Sequence, residues 1–293
     1  MKILLSFITF IFFITPLFSS LNAKSILYKV VSPTSTVYIL GSIHLAKPEL
    51  YPLKKPIETA YKASDVLVVE LDVTSQHSLE IIQTSMMTLG MYAQGKSLKS
   101  ELTPQTYTLL KKYLKKVGLS LDVMQPMRPW AVMLQLSSME MMRLGYDARL
   151  GIDLYFLTQA KQDQKRVLEL ESAEEQMSFL SKNDKNFQDL LLRYTLEEMH
   201  EIEPLLTKMF KSWKTGDSQS LAKLVDTSLG ADPRLDDMYD LLITKRNYAM
   251  TKRVQEYLKT NKKYFVVVGA GHVVGDEGIV SLLKKRGYVV TQY

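Results

Sequence analysis

The chain predicts an α/β fold: a mixed central sheet with flanking helices and a helical insertion. Three observations carry this expectation. Residues 66–69 and 264–268 are apolar without alternation, the pattern of strands covered on both faces. Strand-like runs stand near both ends of the chain with helical stretches between them, which is the order of an α/β layer architecture. The long middle is rich in leucine and methionine at helical spacing and reads as an insertion between the strands.

Taken in order, residues 1–23 come first. Lys2 precedes an apolar run over 3–18, broken only by Ser6, Thr9, Thr15 and Pro16, and Ser19-Ser20-Leu21-Asn22-Ala23 follows. Charge, then hydrocarbon, then small residues is the layout of a secretory signal peptide, with cleavage expected after Ala23. The rival reading is an uncleaved anchor, but the run is shorter than the ~20 residues a spanning helix needs, and it contains a proline. Export to a bacterial periplasm or medium is therefore expected, with no membrane span left after cleavage. Residues 24–293 are expected to form one α/β domain, with the insertion at 75–164 and a further helical segment at 173–258.

Residues 26–31 and 36–40 read as a hairpin around Ser32-Pro33-Thr34-Ser35. A helix is predicted over 52–63 and a buried strand over 66–69. In the insertion the helical spacing runs Leu79, Ile82, Met86; then Leu109, Leu110, Leu114; then Ala131, Leu134, Met139, Met142. Gly118 and Pro126 are the boundaries expected there. Ten of the fifteen methionines fall between Met86 and Met177, and at this spacing they read as core filler. A third strand is predicted over 166–171, then helices to about 258 with breaks near Gly216 and 230–233. A fourth strand over 264–268, a helix over 278–286 and a last strand over 288–291 complete the reading.

Composition excludes several classes of function. With 293 residues, 46% hydrophobic and 23% charged, the chain can build a core and is not of the disordered type. It has no cysteine, so disulfides, thiol catalysis and zinc fingers are ruled out. The net charge of +6 falls to +5 once residues 1–23, whose one charge is Lys2, are removed. The lysines are scattered, with no aromatic residues interleaved, and no nucleic-acid partner is expected. No H-E-x-x-H, G-x-S-x-G, P-loop or complete G-x-G-x-x-G pattern occurs; Gly269-Ala270-Gly271 lacks the third glycine of the last.

The informative polar residues stand at the strand ends. Residues 37–40 run into Gly41-Ser42-Ile43-His44, and 264–268 into Gly269-Ala270-Gly271-His272. Residues 66–69 end in Glu70-Leu71-Asp72, and 167–170 in Glu171. Ligands of open α/β sheets sit outside the carboxyl ends of the strands. If these strands are parallel neighbours, two imidazoles and up to three carboxylates meet at one edge. Gly41 and Gly269 are expected to supply backbone angles that other residues resist. Glu70 follows four apolar residues and needs a cation or several donors, a buried ion pair being the alternative. Asp72 and Glu169 read equally well as surface acids. Asp153 reads as a helix N-terminal acid, and His77 and His200 as ordinary polar residues. Two imidazoles with carboxylates suit a divalent metal, manganese, iron, cobalt or zinc, with water in an open position. A metal-free histidine base oriented by a carboxylate is the other chemistry these residues allow.

The segments 38–44 with 50–53, Val69-Glu70-Leu71-Asp72, Gly151-Ile152-Asp153, Leu170-Glu171-Ser172, Lys245-Arg246-Asn247 and Gly269-Ala270-Gly271-His272 together resemble the TraB/GumN family, which includes the animal TIKI proteins. The resemblance implies a fold related to the haem-binding ChaN proteins and the erythromycin esterases. It also implies an active site of His44, His272, Glu70 and Arg246 and, from the TIKI proteins, metal-dependent proteolysis. The expectation is thus an exported metal-dependent hydrolase acting on a peptide or protein. His44, His272 and Glu70 would bind the metal, Glu171 would serve as a further ligand or support, and Arg246 would stabilise the oxyanion. A ChaN-like haem- or iron-binding module and a non-catalytic regulator are the alternatives.

Overall fold

The computed structural model describes residues 24–181, 184–229 and 236–293. The expected signal peptide and the helix break at 230–233 lie outside these residues. Six strands among the described residues form one mixed sheet in the order β4-β3-β5-β2-β1-β6. They are β1 (Leu27–Val31), β2 (Thr36–Ser42), β3 (Val66–Val69), β4 (Arg166–Glu169), β5 (Lys263–Gly269) and β6 (Val290–Gln292). β2, β5, β3 and β4 run parallel, while β1 is antiparallel to both β2 and β6. The expected hairpin is β1–β2, with Val31 opposite Thr36. Its turn is held by Ser32 Oγ, which accepts from Ser35 N–H at 2.9 Å and donates to Leu258 O at 2.6 Å.

The two faces of the sheet follow from neighbouring residues of β5. Side chains alternate along a strand, so Tyr264 and Phe265 point to opposite sides. Phe265 lies 5.6 Å from the ring of Tyr61 in α1 (Lys55–Lys62) and 4.8 Å from Phe156 in α7 (Ile152–Gln162). Tyr264 stacks at 4.6 Å on Tyr257 of α13 (Lys245–Leu258). Helices therefore cover both faces, which explains why β3 is buried throughout and β5 everywhere but Lys263. Phe265 is completely buried at this three-ring junction. We expect Phe265→Ala to cost about 3–5 kcal/mol, read as a lowered urea midpoint at unchanged slope.

Between β3 and β4 run α2 (Gln76–Thr88), α3 (Leu98–Glu101), α4 (Pro104–Val117), α5 (Leu121–Met124), α6 (Pro129–Arg143) and α7. After β4 come α8 (Ala173–Ser181), α9 (Lys185–Glu198), α10 (Ile202–Thr215), α11 (Ser218–Leu229) and α12 (Asp236–Tyr239), which leads through a π-helical turn, Asp240–Thr244, into α13. α14 (Ala270–Val273) and α15 (Ile279–Lys285) lie between β5 and β6. Gly118 and Gly216 end α4 and α10 in the left-handed conformation, at φ 74° and 75°. A second core, built on Trp130, Leu110, Leu114, Leu192 and Met124, belongs to the helices rather than the sheet. α7 packs on the sheet instead, through Ile152, Phe156 and Ala160.

The apolar stripe expected in the insertion is only partly the buried one. Leu110 and Leu114 are buried, but Leu79, Leu134 and Met142 are exposed, and Trp130, Val132 and Leu136 take the inner face of α6. Leucine and methionine occur around the whole of that helix, so its spacing does not single out one face. No helix among the described residues is long and apolar enough to cross a membrane.

Candidate active site

Because β2, β5, β3 and β4 are parallel neighbours, their carboxyl ends share one edge, with adjacent strands about 4.8 Å apart. Ser42 is paired with Gly269, so the segments carrying His44 and His272 leave the sheet side by side. Past β4, the N–H groups of Leu170 and Glu171 donate to the carbonyls of Val69 and Glu70, each at 2.9 Å, which carries Glu171 alongside Glu70. The edge thus brings His44, His272, Glu70, Glu171 and Arg246 together.

Each imidazole has one nitrogen taken. His44 Nδ1 is 2.8 Å from Asp153 Oδ2, and Ser42 Oγ donates to the other oxygen of Asp153 at 2.9 Å. His272 Nδ1 is 2.7 Å from Asn247 Oδ1, and the amide of Asn247 is oriented by donating to Glu277 O at 2.8 Å. Since an amide oxygen only accepts, Nδ1 of His272 carries the proton and Nε2 presents a lone pair. Burial lowers the pKa of His272 to about 4. Asp153 raises that of His44 to about 9, although 58% of this side chain is exposed and solvent screens part of the pull. Burial would raise Glu70, but His272, His44, Arg246 and the Gly269 N–H outweigh it and bring the carboxyl down to about 2.

Arg246 organises the acids. Its Nε and Nη2 donate to the two oxygens of Glu171 at 2.7 and 2.6 Å, and Nη2 also reaches Glu70 Oε2 at 2.8 Å. The π-turn preceding Arg246 closes with an i to i+5 bond, Lys245 N–H to Asp240 O, and the Leu242 carbonyl accepts from Arg246 Nη1 at 3.1 Å. Glu171 also accepts from Gln176 at 3.0 Å. Both its oxygens are therefore committed, and of the two roles expected for it, ligand or support, this arrangement offers the support, as an anchor for Arg246. The guanidinium is likewise engaged with carboxylates instead of standing open to an oxyanion.

The glycines act differently from expectation. Neither Gly41 nor Gly269 has a positive φ; Gly269 sits at φ −49°, ψ 137°. What they supply is room. A Cβ on Gly41 would lie 2.5 Å from Ile26 Cγ2 and 3.1 Å from the Ala270 Cα. A Cβ on Gly269 would lie 3.2 Å from Glu70 Oε1, 3.3 Å from His44 Nε2 and 3.6 Å from His272 Cδ2. The three side chains thus converge on the space above the Gly269 Cα, where Gly269 N–H also donates to Glu70 Oε1 at 2.5 Å. Gly151 has the same kind of role: its Cβ would strike the His44 carbonyl, while Ile152 N–H bonds Ile43 O at 3.0 Å and sets the start of α7 against the His44 segment.

Asp153, read from sequence as a helix N-terminal acid, is both that and the partner of His44. Asn247 was not singled out as a functional residue, although it follows Arg246 directly in the chain. The remaining candidates are peripheral. Asp72 caps its own turn through Thr74, and Glu169 accepts from the Asp72 N–H at 2.7 Å. His77 and His200 are exposed on the helical part.

Among the described residues no group of three or more His, Asp or Glu side chains is already arranged to hold a metal ion, and His272 Nε2 stands 3.9 Å from Glu70 Oε1. The donor set nevertheless fits a divalent cation. Two imidazoles are each fixed through Nδ1 and face the Gly269 space with the other side of the ring, and an ionised carboxylate borders the same space.

An α/β sheet whose parallel strands deliver histidines and a buried carboxylate to one edge defines a class of protein with a polar site at the strand ends. Within that class, the chain belongs to the TraB/PrgY/gumN family, which it matches over residues 26–292. It is 27% identical over 248 residues to the uncharacterized protein YbaP of Escherichia coli (strain K12), covering 84% of this chain and 87% of that one. It is 26% identical to metalloprotease TIKI1 of Xenopus tropicalis, and 24% to that of Homo sapiens, over 86% of this chain in each case. It spans 58% and 59% of the length of those two proteins. No solved structure gives a significant match.

Proposed function

We propose that this protein is a metal-dependent hydrolase of peptide bonds that acts outside the cytoplasm. The observation that carries the reading is the convergence of His44 Nε2, His272 and Glu70 Oε1 on the space above Gly269. The relatives named metalloproteases support it, and the segments that resemble the family in sequence carry the residues that converge. His44, His272 and Glu70 are the residues that would hold the metal; manganese, iron, cobalt and zinc all suit such mixed donors. When bound, a divalent metal supplies charge to polarise a carbonyl and lowers the pKa of water.

The rest falls to the chain itself. Asp153 and Asn247 fix the tautomer and tilt of the two rings. Glu70 would hold the metal or orient a water beside it, and either task would need the ionised form that Arg246 and the Gly269 N–H favour. We assign Arg246 to positioning Glu70, with Glu171 as its second anchor. Export rests on the composition of residues 1–23 and is tested by N-terminal sequencing of the mature chain.

The functional test pairs elemental analysis with cleavage of unstructured peptides, with and without a chelator. Purified protein is expected to carry metal, and the His44→Ala/His272→Ala variant to carry none and to be inactive. Asp153→Asn is expected to bind metal roughly 10–100-fold more weakly, with activity falling in step. Cleavage that survives chelation, or equal metal content in the double histidine variant, would reject the reading.

A further inference from the structure

Beside the centre lies a hollow of about 360 Å³, the size of a small ligand pocket. His44, Gly269 and His272 form its wall on the catalytic side. One face of α10 also lines it: Leu206, Met209, Phe210 and Trp213, at the i, i+3, i+4, i+7 spacing of a single helical stripe. Trp213 is locked there by donating to Gly41 O at 2.6 Å, and Ile243, from the π-turn before Arg246, closes another side. Among the described residues no Asp, Glu, Lys or Arg lines it.

This composition is unlike that of the neighbouring hollow. That one, about 420 Å³, shares His44 and Leu45 with the first but contains Glu70, Asp153 and Gln176. The centre therefore stands between a recess lined, among the described residues, by no Asp, Glu, Lys or Arg and one that two carboxylates border among apolar residues. Leu206, Met209 and Phe210 are only partly buried, so hydrocarbon on the helix face is left facing the empty recess. Covering it is worth about 25 cal/mol per Å². A charged side chain placed there would lose its hydration with no partner to replace it.

We propose that the apolar hollow is the substrate's side-chain subsite: the protein selects peptides carrying a bulky apolar residue, leucine, methionine or phenylalanine, next to the bond cleaved. This inference rests on the hydrolase reading for its chemistry, and the geometry of the hollow supplies the selectivity.

The test uses the full metal-loaded chain and quenched peptides that differ at one position. Phenylalanine or leucine there is expected to raise kcat/KM at least roughly tenfold over alanine, and aspartate to abolish cleavage. Met209→Trp, which fills the hollow, should erase the advantage of phenylalanine over alanine. Met209→Ala, which enlarges it, should extend the preference to tryptophan. An assay independent of turnover follows Trp213 fluorescence in a Trp130→Phe background. N-acetyl-phenylalaninamide should give a saturable change that Met209→Phe, which narrows the hollow without adding a tryptophan, weakens, and the N-acetyl amide of aspartic acid should give none. Cleavage without side-chain preference, or a preference untouched by Met209→Trp and Met209→Ala, overturns the subsite and leaves the hydrolase standing. Saturable binding of the phenylalanine compound without any cleavage supports the apolar subsite and rejects the hydrolase. Absence of both cleavage and binding rejects the two together.

Discussion

Gly269→Ala is expected to abolish metal uptake and peptide cleavage while leaving the fold intact. The backbone angles of Gly269, φ −49° and ψ 137°, are open to alanine, and the N–H that serves Glu70 remains. The added methyl, however, enters the space the donors share, 3.2 Å from Glu70 Oε1 and 3.3 Å from His44 Nε2. Gly41→Ala should behave in the opposite way. There the methyl meets Ile26 Cγ2 at 2.5 Å and the Ala270 backbone at 3.1 Å, so the loss appears first in stability. Equilibrium dialysis against the metal, beside thermal unfolding, separates the two variants. A Gly269→Ala protein with full metal content would mean that these side chains do not meet around that point.

Arg246→Ala is expected to be the most damaging single change at the site, costing about 3–5 kcal/mol. The side chain is 13% exposed and holds two carboxylates that are 8% and 6% exposed. Removing it leaves Glu171 buried with its counter-charge gone and Glu70 with only the Gly269 N–H and the two histidines beside it. Arg246→Lys should recover only part of the loss, because an ammonium cannot reproduce the two parallel bonds to Glu171. Combining Arg246→Met with Glu171→Gln should restore more stability than Lys does and no activity, since Glu70 stays unsupported. Urea denaturation of the set decides it. An Arg246→Ala protein as stable as the parent would show that the acids find other partners.

Much of the site was legible along the chain because β3 and most of β5 are continuous apolar runs, and the histidines and acids that follow the apolar stretches of the strands stand out. That is how His44, Glu70, Glu171 and His272 could be singled out before any geometry was known. Arg246 lacked such a signal, since it lies in a helix among other charged residues, and only the family resemblance pointed to it. Asp153 was visible as the acid of a helix start, but its pairing with His44 spans 109 residues of chain and leaves no local trace. The insertion was legible as helices but not in its facing, because apolar residues surround α6 on every side.

Sequence alone therefore determined the element types, the α/β class and the residues offered at the strand ends, all of which depend on local periodicity and on the cost of burying a polar group after an apolar strand. Tertiary structure decided the rest. It made β5 the strand between β2 and β3, which sets His272 between His44 and Glu70. It also made Gly269 the vacancy they share, and turned Arg246 and Glu171 into supports. The physical reason is that strand order and side-chain convergence come from contacts between segments far apart in the chain, where spacing carries no information and only packing selects the partner.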